Sequence, residues 1–142
     1  MKFLLPVDGS DASSRAAAYL AKLAGQLKDS PEIHVLNVQH AFPVGGFAGK
    51  VVSRETIDQY HKEEATAALK SARDILDAAK VKYHAHIGIG EEAEVITSYA
   101  AEKGCDQICM GTSGMGKVVN MVLGSVCNKV LHLSKVPVLL VK

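Results

Sequence analysis

Short apolar runs rich in β-branched residues alternate along this chain with longer amphipathic stretches, and that alternation limits the fold more than any other feature. The runs are Phe3–Val7, Ile33–Val38, Tyr83–Ile89, Gln107–Met110 and Val138–Val141. Strands separated by helical stretches in this way predict an α/β fold, an open parallel five-stranded sheet covered by helices on both faces. Behind Ser10, a candidate N-cap, Ala16, Leu20, Leu23, Ala24 and Leu27 recur at helical spacing and predict the first helix. The stretch from about Ser53 to Lys80 is rich in Glu, Lys and Ala, with Ile57, Leu69, Ile75 and Leu76 as apolar positions, and reads as one long helix. A third helix follows Gly90 over Glu92–Glu102, and a fourth spans Gly124–Leu133 ahead of Pro137. The loop Ala41–Lys50 mixes glycine and proline with Phe42 and Phe47, which suits either an irregular crossover or a lid beside a site.

The 142 residues suit a single domain over 1–142. With 48% hydrophobic and 22% charged residues, the chain has enough apolar surface to fold unaided. A formal charge of +1 provides no overall field toward nucleic acid or an anionic membrane, so neither is expected as a partner and binding must be local. Cys105, Cys109 and Cys127 are odd in number and form no C-x-x-C pair, which argues for packing residues rather than a disulfide framework. The apolar run at the N-terminus is too short for a signal peptide or a membrane span, and the expected compartment is the cytoplasm.

Three glycine motifs compete for a phosphate-binding role. Gly88-Ile89-Gly90-Glu91-Glu92-Ala93 satisfies G-x-G-x-x-A between a strand and a helix, yet it puts two carboxylates where pyrophosphate would have to bind. A tight turn whose acidic residues complement the helix dipole is the better reading. Gly111-Thr112-Ser113-Gly114-Met115-Gly116-Lys117-Val118 nearly matches the P-loop pattern, but Val118 stands where a hydroxyl must reach magnesium. The third motif joins Gly111 and Gly114 to Gly124-Ser125, after the fourth strand and at the start of the fourth helix. Glycines at a strand's carboxyl end admit a ligand close to the backbone, and free amides with a serine hydroxyl at a helix N-terminus suit phosphate oxygens. A glycine-rich turn with a serine cap and no ligand is the alternative from these residues alone.

The spacing Gly111-x2-Gly114-x9-Gly124-Ser125 resembles the G-x2-G-x9-G-[ST] signature of the universal stress protein family, in its nucleotide-binding branch. The likeness spans the chain: Pro6-Val7-Asp8-Gly9-Ser10 resembles the family's opening, Asp106–Gly111 its fourth strand and Pro137–Val141 its closing strand. The resemblance implies strand order 3-2-1-4-5, in the adenine nucleotide alpha hydrolase-like class, with ATP or AMP across the sheet's carboxyl edge. It puts Asp8 against the adenine or ribose, Val38 on the adenine through its backbone, and Pro6, Val7 and Met110 around them as neighbouring walls. Gly111 and Gly114 would lie along the ribose. Gly124, Ser125 and Val126 would meet phosphate, with Asn128 a further candidate and Gly9 and Ser10 close by. From the residues alone, Asp8 also suits a capping role beside Ser10. Many relatives carry histidine or arginine at the position of Ser113, so phosphate charge must here be balanced elsewhere. Lys117 and Lys129 are available, although both read better as solvated surface lysines.

His84 and His86 alternate on one strand face without an acidic or cysteine partner nearby in sequence, and His34, His40, His61 and His132 are scattered. The function expected is a nucleotide-dependent stress sensor or regulator, homodimeric through its C-terminal strand, with any Mg2+ or Mn2+ carried on the nucleotide. The alternative is a slow metal-dependent ATPase or nucleotide transferase, for which no water-orienting residue or catalytic group is identifiable.

Overall fold

The computed structural model describes residues 1–42, 51–114 and 123–142. Its elements follow the predicted alternation: β1 Lys2–Pro6, α1 Asp11–Gln26, β2 Glu32–Gln39, α2 Arg54–Ala78, β3 His84–Ile89, α3 Glu92–Glu102, β4 Gln107–Gly111, α4 Ser125–Leu133 and β5 Val138–Val141. The strands form one sheet in the order β3-β2-β1-β4-β5, and every pairing is parallel. Strand and helix ends agree with the sequence reading to within about two residues, the scatter expected of element boundaries. Of the loop Ala41–Lys50, residues 43–50 lie outside the described residues, as do Met115–Val122, including the Lys117 of the near P-loop.

The two-residue period of the strands sorts their side chains onto two cores. Phe3 and Leu5 of β1, with Ile33 and Val35 of β2 and Cys109 of β4, pack against Ala16, Ala17 and Leu20 of α1 and Leu69 and Leu76 of α2. Leu4, Leu36, Ile108 and Met110 turn to the opposite face, where Ala93 and Ile96 of α3 and Cys127 and Val130 of α4 cover them. The central strands are therefore apolar at nearly every position. All three cysteines are free and buried within these layers, and burial pushes the Cys109 thiol up to about 12, as suits a packing residue.

Local sequence accounts for the helix starts. Ser10 caps α1, its hydroxyl accepting from the Ser13 amide at 3.2 Å, and Ser53 caps α2 through the Thr56 amide at 3.2 Å. Glu91 caps α3, accepting from the Glu94 amide at 2.8 Å. The G-x-G-x-x-A segment is thus a strand-to-helix turn whose first carboxylate is the cap. Gly90 has φ +145°, and a Cβ on Gly88 would come within 2.6 Å of Val95, so close strand-helix packing explains the glycines. At α4 the pattern changes, because Gly124 occupies the cap position and supplies no side chain.

Candidate functional site

Parallel strands all end on one edge, and a crevice opens where consecutive connections leave toward opposite faces. Here that point lies between β1 and β4, since β2 follows β1 on one side and β4 flanks it on the other. A cavity of about 510 Å³ lies there, and it gathers Pro6, Val7 and Asp8 after β1, Val38 from β2, Met110, Gly111 and Gly114 from β4 and its loop, and Gly124, Ser125 and Val126 at the start of α4. Of the residues named from the sequence, these ten line the cavity, whereas Gly9 and Ser10 do not. Asn128 is not among those lining the cavity; its amide bonds the Gly124 carbonyl at 3.0 Å within α4. A larger hollow of about 850 Å³ at the opposite end, around Pro31, Arg73 and Tyr83, contains none of them. Its main polar groups already satisfy one another, with Arg73 and Asp77 both bonded to the Tyr83 hydroxyl.

The glycines of the signature differ in why they are glycine. A Cβ on Gly111 would stand 2.7 Å from the carbonyl carbon and oxygen of Ala12, so the approach of α1 to β4 alone demands glycine. At Gly114 it would stand 2.6 Å from Asp8 Oδ2. Gly124 has φ −74° and ψ 163°, a conformation open to any residue, and among the described residues an added Cβ there meets nothing closer than Ser113 Cα at 3.4 Å. Neither the backbone angles nor the described neighbours forbid a side chain at 124.

Asp8 serves both sides of the site. Its Oδ1 accepts from the Ser10 amide at 2.9 Å, fixing the turn into α1, while Oδ2 faces Gly114 across the cavity. The cap of α1 is Ser10, and Asp8 supports that turn through the Ser10 amide rather than capping the helix itself. On the β2 side, Asn37 is buried at 3% exposure; its amide donates to the Val7 carbonyl at 2.8 Å and its Oδ1 accepts from Gln39 Nε2 at 2.6 Å. This relay ties the carboxyl end of β1 to β2 beyond the last ladder bond. The rim carries an ion pair between His40 and Glu92 at 3.3 Å. Burial holds the Glu92 carboxyl above its ordinary range, with His40 opposing and Asp8 and Glu91 adding to the rise.

The whole chain, residues 1–142, matches the model of the universal stress protein family. The chain belongs to that family. The universal stress protein MJ0531 of Methanocaldococcus jannaschii is 33% identical over 99% of this chain and 81% of its own. Among solved structures, a universal stress protein in complex with cAMP shares the fold at a TM-score of 0.75, with 22% identity over 100% of this chain and 97% of that one. An AMP-bound family protein of Arabidopsis thaliana does so at 0.68, with 18% identity over 100% and 91%.

In this universal stress protein Ser113 leaves the cavity wall uncharged at that position, and Lys129 does not make up the difference. Its ammonium lies 3.2 Å from Glu91, the cap of α3. Asn37, Gln39, Glu64 and Glu92 line the cavity without having been singled out from the sequence. For Asn37 there was a signal, since a lone amide inside the apolar run Val35–Val38 must find a partner when buried.

The histidines are less scattered in the fold than in the sequence. Parallel pairing of β2 and β3 sets His34 opposite His84. The His34 ring lies 2.8 Å from Glu32 through Nε2, and through Nδ1 lies 3.1 Å from His86 Nε2 and 3.2 Å from the Tyr99 hydroxyl. His86 is thus linked to the Glu32 carboxylate through the His34 ring, a connection that runs across strands rather than along the sequence. Among the described residues no group of three His, Cys, Asp or Glu side chains is placed to hold a metal ion. Burial holds the His86 ring below its ordinary range, and His34, Lys103 and His84 add to the effect. The unfolded chain then takes up a proton there more readily than the folded one. Stability should fall as pH drops from about 6.5 toward the folded-state value and be level above it. Urea midpoints measured from pH 7.5 to 5.5 should show this slope, and His86→Asn should flatten it; an unchanged slope in that variant would assign the dependence to other groups.

Proposed function

We propose that this universal stress protein binds an adenine nucleotide, ATP or AMP, in the cavity at the carboxyl edge of the sheet, and acts as a nucleotide-dependent regulator of a stress response. The observation that carries the reading is Gly124: it is glycine although neither its backbone angles nor its neighbours among the described residues exclude a side chain, and it adjoins the uncapped amides of α4 on the cavity wall. A ligand that must come close to the backbone accounts for it. Solved proteins of this fold that hold cAMP and AMP support the choice of nucleotide. Asp8 and the Val38 backbone would meet the ribose and base, Gly111 and Gly114 the ribose, and Gly124, Ser125 and Val126 the phosphate. With no three-donor metal set among the described residues, a Mg2+ or Mn2+ ion would arrive on the phosphates. Mass spectrometry of small molecules released from the purified protein tests the reading. An adenine nucleotide near one per chain is expected, and a protein that carries none and takes up none when supplied would refute it.

The same reading has the protein working in the cytoplasm as a homodimer paired along β5. That strand is an edge of the sheet, and Val138–Val141 are all only half-buried, so an apolar edge lies open to a second copy. No described helix is long and apolar enough to cross a membrane. Light scattering at tens of micromolar protein should give twice the chain mass, and a monomer mass there would contradict the pairing.

A further inference from the structure

The described walls of the cavity carry more acidic than basic side chains. Asp8, Glu64 and Glu92 line it, and none of its described lining residues is a lysine or arginine. The nearby ammonium of Lys129 is held by Glu91 at 3.2 Å. The two stretches outside the described residues contain one lysine each, Lys50 and Lys117, and no other charged residue, so the sequence allows few cations to set against several phosphates. His40, which also lines the cavity, faces Glu92 at 3.3 Å, and among the described residues the donors left for an anion gather at the start of α4. The Gly124 amide is already taken by the Thr112 carbonyl at 2.7 Å. The helix's first internal bond runs from the Asn128 amide to the Gly124 carbonyl at 3.0 Å, which leaves the amides of Ser125, Val126 and Cys127, with the Ser125 hydroxyl, as donors. Three amides and a hydroxyl satisfy the oxygens of one phosphate group, and the helix dipole adds only about half a positive charge.

We infer that this site, granted the nucleotide reading above, prefers adenine nucleotides bearing a single phosphate, AMP or a cyclic monophosphate, and takes ATP well only when a divalent cation offsets its extra charge. Each further phosphate brings negative charge beside carboxylates in a partly desolvated crevice, where screening is weaker than in bulk water. The Glu92 carboxyl, raised chiefly by burial, with His40 opposing and Asp8 and Glu91 adding to the rise, marks that rim as partly desolvated.

Calorimetric titration of the full chain, stripped of nucleotide, with AMP, cAMP and ATP in EDTA, and with ATP in Mg2+, tests this. At low salt AMP or cAMP should bind at least about tenfold more tightly than ATP in EDTA. Magnesium should recover most of the ATP affinity, and both higher salt and Glu92→Gln should narrow the gap. ATP binding as tightly as AMP in EDTA would overturn the preference while leaving the nucleotide site intact. Failure of AMP, cAMP and ATP alike to bind would remove the nucleotide reading itself, so the two failures are told apart by the monophosphate arms.

Discussion

Replacing Gly111 by alanine should lower the stability of this protein by about 3 kcal/mol, the upper end of what overpacking a core costs. The added Cβ would lie 2.7 Å from the Ala12 carbonyl carbon and oxygen and 2.8 Å from its Cβ. The first two are backbone atoms in the first turn of α1 and an alanine Cβ has no rotamer, so no side-chain rotation relieves the clash. The helix start must shift, and with it the Ser10 cap and the turn held by Asp8. For a domain of this size, with total stability on the order of 10 kcal/mol, such a loss is a large fraction of the whole. Gly25→Ala provides the contrast: it lies within α1, a Cβ there meets nothing within 4 Å, and helix propensity predicts a gain of up to about 1 kcal/mol. Urea unfolding followed by circular dichroism measures both. A Gly111→Ala midpoint equal to that of the parent would show that α1 and β4 do not approach as closely as described.

That contrast also shows where the sequence was legible and where it was not. Phe3, Leu4 and Leu5 are consecutive and apolar, and the only common way to bury all three is a strand covered on both faces, which is how they sit. The signature Gly111, Gly114, Gly124, Ser125 is local in sequence and local in space, so its spacing pointed to the cavity that these residues line. What spacing could not reveal is that Gly111 is required by packing whereas Gly124 is not, because the contact that decides it comes from Ala12, about a hundred residues earlier in the chain. The same holds for the histidines. His34 and His86 are separated by a long helix and meet only because parallel pairing puts β3 beside β2 in a particular register. The acidic rim formed by Asp8, Glu64 and Glu92 comes from three elements and has no linear pattern. Single residues inside one element were readable from the sequence; groups assembled across the sheet had to await its strand order.

Gly124→Val should leave the fold intact and abolish nucleotide binding. The position tolerates a side chain on both counts that matter to the protein: φ −74° and ψ 163° lie in the extended region open to β-branched residues, and the nearest atoms to an added Cβ, Ser113 Cα, the Thr112 carbonyl oxygen and the Gly114 amide, are at 3.4, 3.6 and 3.7 Å. Gly124 is the N-cap of α4, and glycine caps better than valine, so the exchange should cost on the order of 1 kcal/mol, which leaves the domain folded. The ligand would be affected differently. The added side chain would start between the Thr112–Gly114 segment and the first turn of α4, beside the Ser125 and Val126 amides proposed to hold the phosphate. Amide and hydroxyl donors without a cationic clamp suggest micromolar binding, about −8 kcal/mol, and a loss of about 3 kcal/mol from blocked phosphate contacts would weaken it more than a hundredfold. Calorimetry with AMP on parent and variant measures the affinity, and circular dichroism with urea unfolding verifies the fold. A variant that unfolds at the parent's midpoint and binds AMP as tightly would separate Gly124 from the ligand, and with it the phosphate position assigned to the start of α4.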